Sequence, residues 1–99
     1  MESIGEILRR NRELKGLLLR QVGASLEIDQ AVISKFERGE RKLTRTQVIQ
    51  FAKLYCLSED DLLVAWMSDK LVSEVQDETL ALKAIQVAEQ KIKNQKRSK

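Results

Sequence analysis

The sequence predicts an all-α fold, in which five short helices are followed by a C-terminal helical extension. Three observations carry this prediction: the chain has no proline, only 4% of its residues are aromatic, and its apolar residues recur at helical spacing. A β-sandwich or barrel would use aromatic strands and turn prolines, so that class is disfavoured. At 99 residues the chain has little length to spare for a second globular domain.

Polar residues that can accept backbone hydrogen bonds mark the start of four helices. The expected caps and capping boxes are Ser3 with Glu6, Asp29, Thr44 with Gln47, and Ser58. A helix over residues 19–26 has no such cap. Gly16 and Gly39 supply stops. The apolar residues expected to face inward are Ile4, Ile7, Leu8, Leu14, Leu19, Val22, Leu26, Ile33, Phe36, Val48, Phe51, Ala52 and Tyr55.

The fifth helix and the extension follow one another with only a weak break. From Leu62 onward the apolar pattern continues without a clear stop, and residues 76–78 are the expected joint. Ala81, Ile85, Ala88 and Ile92 then recur at spacings of 4, 3 and 4, which forms a seam that two helices could share. We therefore divide the chain into a domain over residues 1–68 and a helical extension over residues 69–99 that ends in a basic tail.

Charge is unevenly distributed along the chain, although the net charge is only +3. Residues 9–53 carry eleven Lys and Arg against five Asp and Glu, a balance of +6. Residues 54–90 carry two against eight, a balance of −6, and residues 91–99 add +5. This pattern predicts a surface that faces a polyanion, followed by a segment with a different task.

The composition excludes most catalytic and metal chemistry. The chain has no histidine and one cysteine, Cys56, so it lacks His-based catalysis, multi-ligand Cys/His zinc sites and an internal disulfide. It also lacks a glycine-rich phosphate loop and converging carboxylates, so we expect no enzyme activity, no cofactor and no metal. No apolar run approaches the roughly 20 residues of a membrane span, and acidic Glu2 follows Met1. We expect a cytoplasmic protein.

Two short helices joined by a tight turn, within a basic five-helix unit, form the geometry of a helix-turn-helix DNA reader. The residues that carry a family resemblance are Ile4-Gly5, Leu8-Arg9, Arg12, Gly16-Leu17, Val22-Gly23, Leu26, Ile28, the run from Ile33 to Gly39, and Phe51, Leu57-Ser58 and Leu62-Leu63. In these residues the chain resembles the phage-repressor-like (Xre-type) regulators, which have a lambda-repressor-like helix-turn-helix domain. The resemblance covers residues 4–67, and the run from Ile33 to Gly39 is its most specific part.

The resemblance implies that the third helix lies in the DNA major groove. The residues it would present to base edges are Gln30, Ala31, Val32, Ser34 and Lys35. Gln30 can pair with adenine, Lys35 can donate to guanine, and Ala31 or Val32 can contact a thymine methyl. The alternative is that this face is only solvated and that Val32 is half-buried.

The resemblance also implies phosphate contacts on both sides of the third helix. The candidates are Arg20, Gln21, Arg38, Arg41, Lys42, Thr44 and Arg45. Such contacts position a protein on DNA without reading its sequence. Arg45 could instead reach the minor groove, and the whole basic loop could serve only solubility. Glu37 would repel phosphate, so by resemblance we expect it to form a structural ion pair with Arg12.

Three features depart from the family pattern. Glu27 and Cys56 occupy positions after helices where a glycine is usual because the backbone φ is positive. We expect Cys56 to be a packed thiol. The run from Leu17 to Leu19 replaces a polar helix cap and is too apolar for an exposed loop, so part of it should pack on the protein. The extra C-terminal helix is one place where it could pack.

These observations predict a sequence-specific double-stranded DNA-binding transcriptional regulator, a repressor that acts as a homodimer on a palindromic operator. The expected dimer interface consists of Trp66, Leu71, Val75, Ile85 and Ile92. The extension could instead fold back over the core. One alternative function is an antitoxin or restriction–modification controller that binds a partner enzyme through residues 69–99. Another is a protein-interaction module that no longer contacts DNA.

Overall fold

The computed structural model describes residues 2–97 and contains six helices, with no strand in that part of the chain. The helices are α1 (Ile4–Leu14), α2 (Leu19–Leu26), α3 (Gln30–Glu37), α4 (Arg45–Leu54), α5 (Glu59–Val75) and α6 (Ala81–Arg97). The all-α prediction is therefore confirmed. Met1 at the start of the predicted domain, and Ser98 and Lys99 at the end of the predicted basic tail, lie outside the described residues.

The predicted polar caps hold the starts of their helices. The Ser58 hydroxyl accepts a hydrogen bond from the Asp61 amide at 3.2 Å, and the Asp29 carboxylate accepts one from Ala31 at 2.7 Å. Thr44 and Gln47 form the predicted reciprocal box, with bonds of 3.2 and 2.9 Å. These bonds satisfy amides that have no partner inside the helix, so each cap fixes where its helix begins.

The N-terminus of α1 is capped differently from the prediction. The Ser3 hydroxyl accepts from the Glu6 amide at 3.2 Å, as expected. The Glu6 carboxylate accepts from the Ser3 hydroxyl at 3.1 Å rather than from the Ser3 amide, so the second half of the predicted box is missing. Instead, the amide of Ile4 donates to the Asp69 carboxylate on α5 at 2.8 Å. A hydrogen bond to a distant residue, Asp69, is thus present at the start of α1, whereas the expected local bond from the Ser3 amide to Glu6 is not formed.

The core is formed by side chains from α1 to α5 and from the loop before α4. The buried apolar residues are Ile4, Leu8, Val22, Ile33, Phe36, Leu43, Val48, Phe51, Ala52, Tyr55, Leu62, Leu63 and Trp66. Phe36 and Phe51 meet edge to face with their ring centroids 6.2 Å apart, an arrangement that favours aromatic packing. Two of our expectations are wrong, because Leu14 is 73% exposed and the Cys56 thiol lies at the surface.

The apolar run before α2 packs on the core of the domain. Leu17 and Leu19 are partly buried against the core, whereas Leu18 between them is exposed. Inside α2, Gly23 allows the turn before α3 to approach closely, since a Cβ atom there would lie 2.6 Å from the Ile28 carbonyl oxygen. The close approach at Gly23 lets α2 and α3 pack against each other.

The fifth helix continues beyond the core as an exposed arm. The predicted joint is present, because α5 ends at Val75 and α6 begins at Ala81. Every α6 residue described at side-chain level is exposed except Ala81, so α6 does not cover the core. Trp66 was expected in a dimer interface, but it is buried in the core of its own chain, so its indole is unavailable to a second copy. The remaining expected interface residues, Leu71, Ile85 and Ile92, are exposed, and Val75 is half-buried.

Candidate nucleic-acid interface

A tight turn joins α2 to α3. Glu27 ends α2 in the left-handed conformation, with φ 57° and ψ 42°. The Ile28 amide then donates to the Gly23 carbonyl at 3.0 Å, and Asp29 caps α3. The two helices therefore leave the turn with a fixed relative orientation, as a helix-turn-helix requires. The family resemblance implied a positive φ at Glu27 and Cys56, and both positions have it.

One face of α3 holds the helix to the core and the other faces solvent. Ile33 and Phe36 are fully buried, whereas Gln30, Ala31 and Lys35 are exposed. The exposed trio of side chains offers an amide, a methyl group and an ammonium, which suit the hydrogen-bonding groups and thymine methyls of the major groove. No described residue of the C-terminal extension covers them.

The two other predicted base-reading residues are less available. Ser34 is half-buried. Val32 is also half-buried and packs against the core, which was the alternative considered for it. Their side chains therefore contribute only part of their surface to the exposed face of α3.

A buried ion pair fixes α3 against α1. The Arg12 guanidinium donates to both carboxylate oxygens of Glu37, at 2.7 and 3.0 Å, and also to the Leu17 carbonyl at 3.0 Å. The side chains are only 14% and 5% exposed. The hydrogen bond to Glu37 raises the pKa of Arg12 above its ordinary value, because it stabilises the charged guanidinium. This two-point geometry locks the C-terminal end of the candidate recognition helix.

The loop between α3 and α4 carries most of the predicted phosphate contacts. Arg41, Lys42 and Arg45 are exposed. Arg38 is also exposed, and its guanidinium lies 2.9 Å from the Glu40 carboxylate. The Thr44 hydroxyl caps α4. The loop and the first residue of α4 therefore present exposed cations close to α3 in the chain, and one of them, Arg38, is already partly neutralised.

The start of α2 supplies the last two predicted phosphate contacts. Arg20 is exposed, with its side chain in the first turn. The Gln21 side chain accepts a hydrogen bond from the Leu18 amide at 2.8 Å, so it caps α2 from three residues inside the helix. This use of Gln21 leaves its NH₂ group able to donate to a phosphate.

Tyr55 was assigned only to the core, and it is buried there with its ring centroid 5.7 Å from that of Phe51. Its hydroxyl is buried and has no hydrogen-bond partner among the described residues. Burial raises its pKa to about 12, and the negative charge of Glu37 adds to the effect. Sequence periodicity located the ring correctly but carries no signal for the state of the hydroxyl.

The described part of the chain has neither a metal-binding cluster nor a helix suited to a membrane. In it, no group of three or more Cys, His, Asp or Glu side chains could hold a metal ion. None of the helices described is both long enough and apolar enough to cross a bilayer. The exposed donors of α3 and the exposed cations of the loop that follows it form the candidate interface.

Comparison with protein families matches residues 3–65 to the family described as helix-turn-helix domain, of the Xre/Cro-like type. The matched range contains α1 to α4 and the first part of α5. Neither a curated protein nor a solved structure matches the chain.

Proposed function

The chain belongs to the Xre/Cro-like helix-turn-helix domain family, whose domains bind DNA, and from this premise we propose that it is a sequence-specific transcriptional regulator of double-stranded DNA. Within that proposal it acts as a repressor, as a homodimer on a palindromic operator. A dimer seated on an operator excludes other proteins from that DNA, which is the simplest route to repression for a chain of this size.

The observation that carries the proposal is the outward face of α3. Gln30, Ala31 and Lys35 are exposed along one side of a helix that is held by two buried apolar residues and by the Arg12–Glu37 pair. A rigid helix with exposed polar side chains can be placed in a groove without first being ordered, so its contacts are available for reading bases. Arg41, Lys42 and Arg45 lie beside it as phosphate anchors.

The homodimer is supported by the arm that extends beyond the core. One recognition helix spans only a few base pairs, whereas a twofold dimer presents two such helices about one DNA turn, ~34 Å, apart. Leu71, Ile85 and Ile92 are exposed on this arm, and their burial in a second copy would remove apolar surface from water. Trp66 is left out of the proposed interface because it is already buried.

A partner enzyme at residues 69–99 is the competing function. It is favoured by Leu82 and Val87, which are exposed on α6 but lie outside the seam formed by Ala81, Ile85, Ala88 and Ile92. Because they are five residues apart, the two side chains lie on different sides of α6 and offer separate apolar contacts to a second protein. In that case the chain would be an antitoxin or a restriction–modification controller, and its helix-turn-helix would still bind DNA.

Selection of bound duplexes from a random pool tests the proposal, combined with light scattering on the purified chain. We expect enrichment of a palindrome whose half-sites lie about one DNA turn apart, and a particle mass twice that of the chain. Enrichment of a single asymmetric half-site by a monomer would refute the homodimer and leave the DNA reader intact. Absence of any enrichment, with no binding of duplex at low salt, would contradict DNA reading altogether.

A further inference from the structure

Trp66 forms a hydrogen bond from α5 to the basic loop between α3 and α4. Among the residues that the structure describes, it is the only hydrogen bond between that helix and that loop. The indole N–H donates to the carbonyl oxygen of Leu43 at 2.9 Å, across 23 residues of sequence. Both residues are buried, at 9% and 5% exposure. Because a buried carbonyl without a partner is costly, this bond specifies where the backbone of the loop must lie.

One neighbour on α5 contacts the tryptophan, and another attaches the helix to α1. The Lys70 ammonium lies 3.5 Å from the centroid of the Trp66 ring, within the range of a cation–π interaction. The Asp69 carboxylate accepts from the Ile4 amide at 2.8 Å, which attaches the same turn of α5 to the start of α1. All three residues lie beyond residue 65, the last residue matched to the family.

The loop that Trp66 contacts has little other regular structure. Residues 38–44 lie between α3 and α4, and Leu43 is the one residue among them that is buried. Arg41 and Lys42 immediately precede Leu43 and are exposed. With Trp66 and Lys70 they line a common cleft of about 340 Å³. A shift of the Leu43 backbone would therefore move both cations.

We propose that Trp66 is a positioning residue for DNA binding, because its hydrogen bond to Leu43 fixes the loop that presents Arg41 and Lys42 to the phosphate backbone. Trp66 itself does not contact DNA. The inference rests on the proposed function of Arg41 and Lys42 as phosphate anchors. It predicts that loss of the indole N–H weakens binding to every duplex equally, since phosphates carry no sequence information.

Four variants of the full chain test this inference. Trp66→Phe removes the N–H, R41A/K42A removes the cations, and a third variant combines the two changes. Leu62→Val is the matched control, because Leu62 is buried on the same helix but lines a different cleft with Ile7 and Ser58. Duplex affinity is measured over a range of salt concentrations, at a temperature where each variant is folded.

We expect Trp66→Phe to lower affinity roughly threefold to tenfold, the loss of about one net hydrogen bond, for selected and unrelated duplexes alike. The slope of log affinity against log salt should flatten by about one. The combined variant should bind as weakly as R41A/K42A and no more weakly, because both changes act on one set of contacts. Leu62→Val should lower the melting temperature and leave the salt slope unchanged.

If R41A/K42A weakens binding while Trp66→Phe leaves affinity and salt slope at the parent values, the positioning role is wrong and the phosphate anchors stand. Additive losses in the combined variant also overturn it. If R41A/K42A has no effect, the assignment of the anchors fails together with the inference. Should Trp66→Phe not fold, benzothienylalanine at position 66 keeps the ring shape, lacks the N–H, and is expected to give the same losses.

Discussion

Glu27 occupies a backbone conformation that residues with a side chain adopt only at a cost of about 1–2 kcal/mol. Its φ of 57° ends α2, and its side chain is exposed. Glu27→Gly should therefore raise the free energy of unfolding by about 1 kcal/mol, measured by denaturant titration. Gly16→Ala is the converse control, because Gly16 has φ 67° and open space for a methyl group, and it should lower stability. Changes of the same sign in the two variants would show that φ is not the cause.

We expect Arg12 to contribute mainly to the folding stability of the domain and not directly to DNA affinity. Its removal leaves the Glu37 carboxylate buried and unpaired, so Arg12→Ala should destabilise the domain by about 3–5 kcal/mol. Arg9→Ala is the control, since the Arg9–Glu13 pair is exposed and such pairs contribute little. A parent-like melting temperature for Arg12→Ala, accompanied by weaker DNA binding, would contradict the structural role.

Tyr55 links the stability of the core to alkaline pH. Its pKa is raised from 10.0 to about 12 in the folded chain, so the folded state favours the neutral phenol. This contribution is fully present below pH 10 and is lost as the pH rises toward 12. The parent should therefore lose free energy of unfolding, of the order of 2 kcal/mol, between pH 10 and 12, and Tyr55→Phe should not show this loss. At pH 7 the substitution should not lower the free energy of unfolding, because the hydroxyl that it removes is buried without a partner. Parallel stability curves for the two proteins between pH 9 and 12 would refute the shift.

At the scale of elements, α5 belongs to two parts of the molecule. The first part of α5 completes the core. Asp69 then contacts α1 and Lys70 contacts Trp66, and beyond them the helix leads into the exposed arm. The predicted boundary at residue 68 would cut through these contacts. We therefore propose that the domain as a folding unit extends past Lys70.

Two truncations test that boundary by thermal melting and light scattering. A chain of residues 1–76 keeps every core residue and the Asp69 cap, so it should fold as a monomer with near-parental stability. A chain of residues 1–68 loses the cap on Ile4 and should be less stable by about 1 kcal/mol or more. Equal melting temperatures for the two chains would refute the longer domain, and a dimer of residues 1–76 would remove α6 from the interface.

Local signals predicted most of the fold because they act within a few residues. Caps at Asp29, Thr44 and Ser58 fix helix starts through neighbouring amides. The positive φ at Glu27 was instead implied by the family resemblance, since the family usually has a glycine at that position. The exposed side of α3 likewise follows from the burial of Ile33 and Phe36.

Contacts between residues that are far apart in the sequence could not be predicted from such local signals. The apolar pattern of α5 runs through buried and exposed parts without a break, so Trp66 was assigned to a dimer rather than to the core. Its partner is a backbone carbonyl 23 residues away, which no side-chain pattern encodes. Gln21 was missed as a cap because its oxygen returns to Leu18 from inside the helix.

At the scale of the whole molecule, the two functions that we propose, DNA binding and dimer formation, fall on parts of the chain with different charge and different exposure of apolar side chains. The block of residues 9–53, with a balance of +6, contains α3 and its basic loop, whereas the acidic block of residues 54–90 contains all of α5 and the joint. We propose that the basic block binds phosphates and that the exposed apolar surface of the arm is left to a second copy. Residues 91–99 add a second basic stretch, with a balance of +5.

The central claim is that α3 reads bases while the loop after it holds phosphates, and a comparison of Lys35→Ala with Arg41→Ala tests it most directly. Affinities are measured for the selected operator and for each of its single-base variants, over a range of salt concentrations. Lys35→Ala should relax preference at one base position, at a cost of about 1–3 kcal/mol. Arg41→Ala should weaken all duplexes alike and flatten the salt dependence by about one unit. Identical behaviour of the two variants would contradict the account.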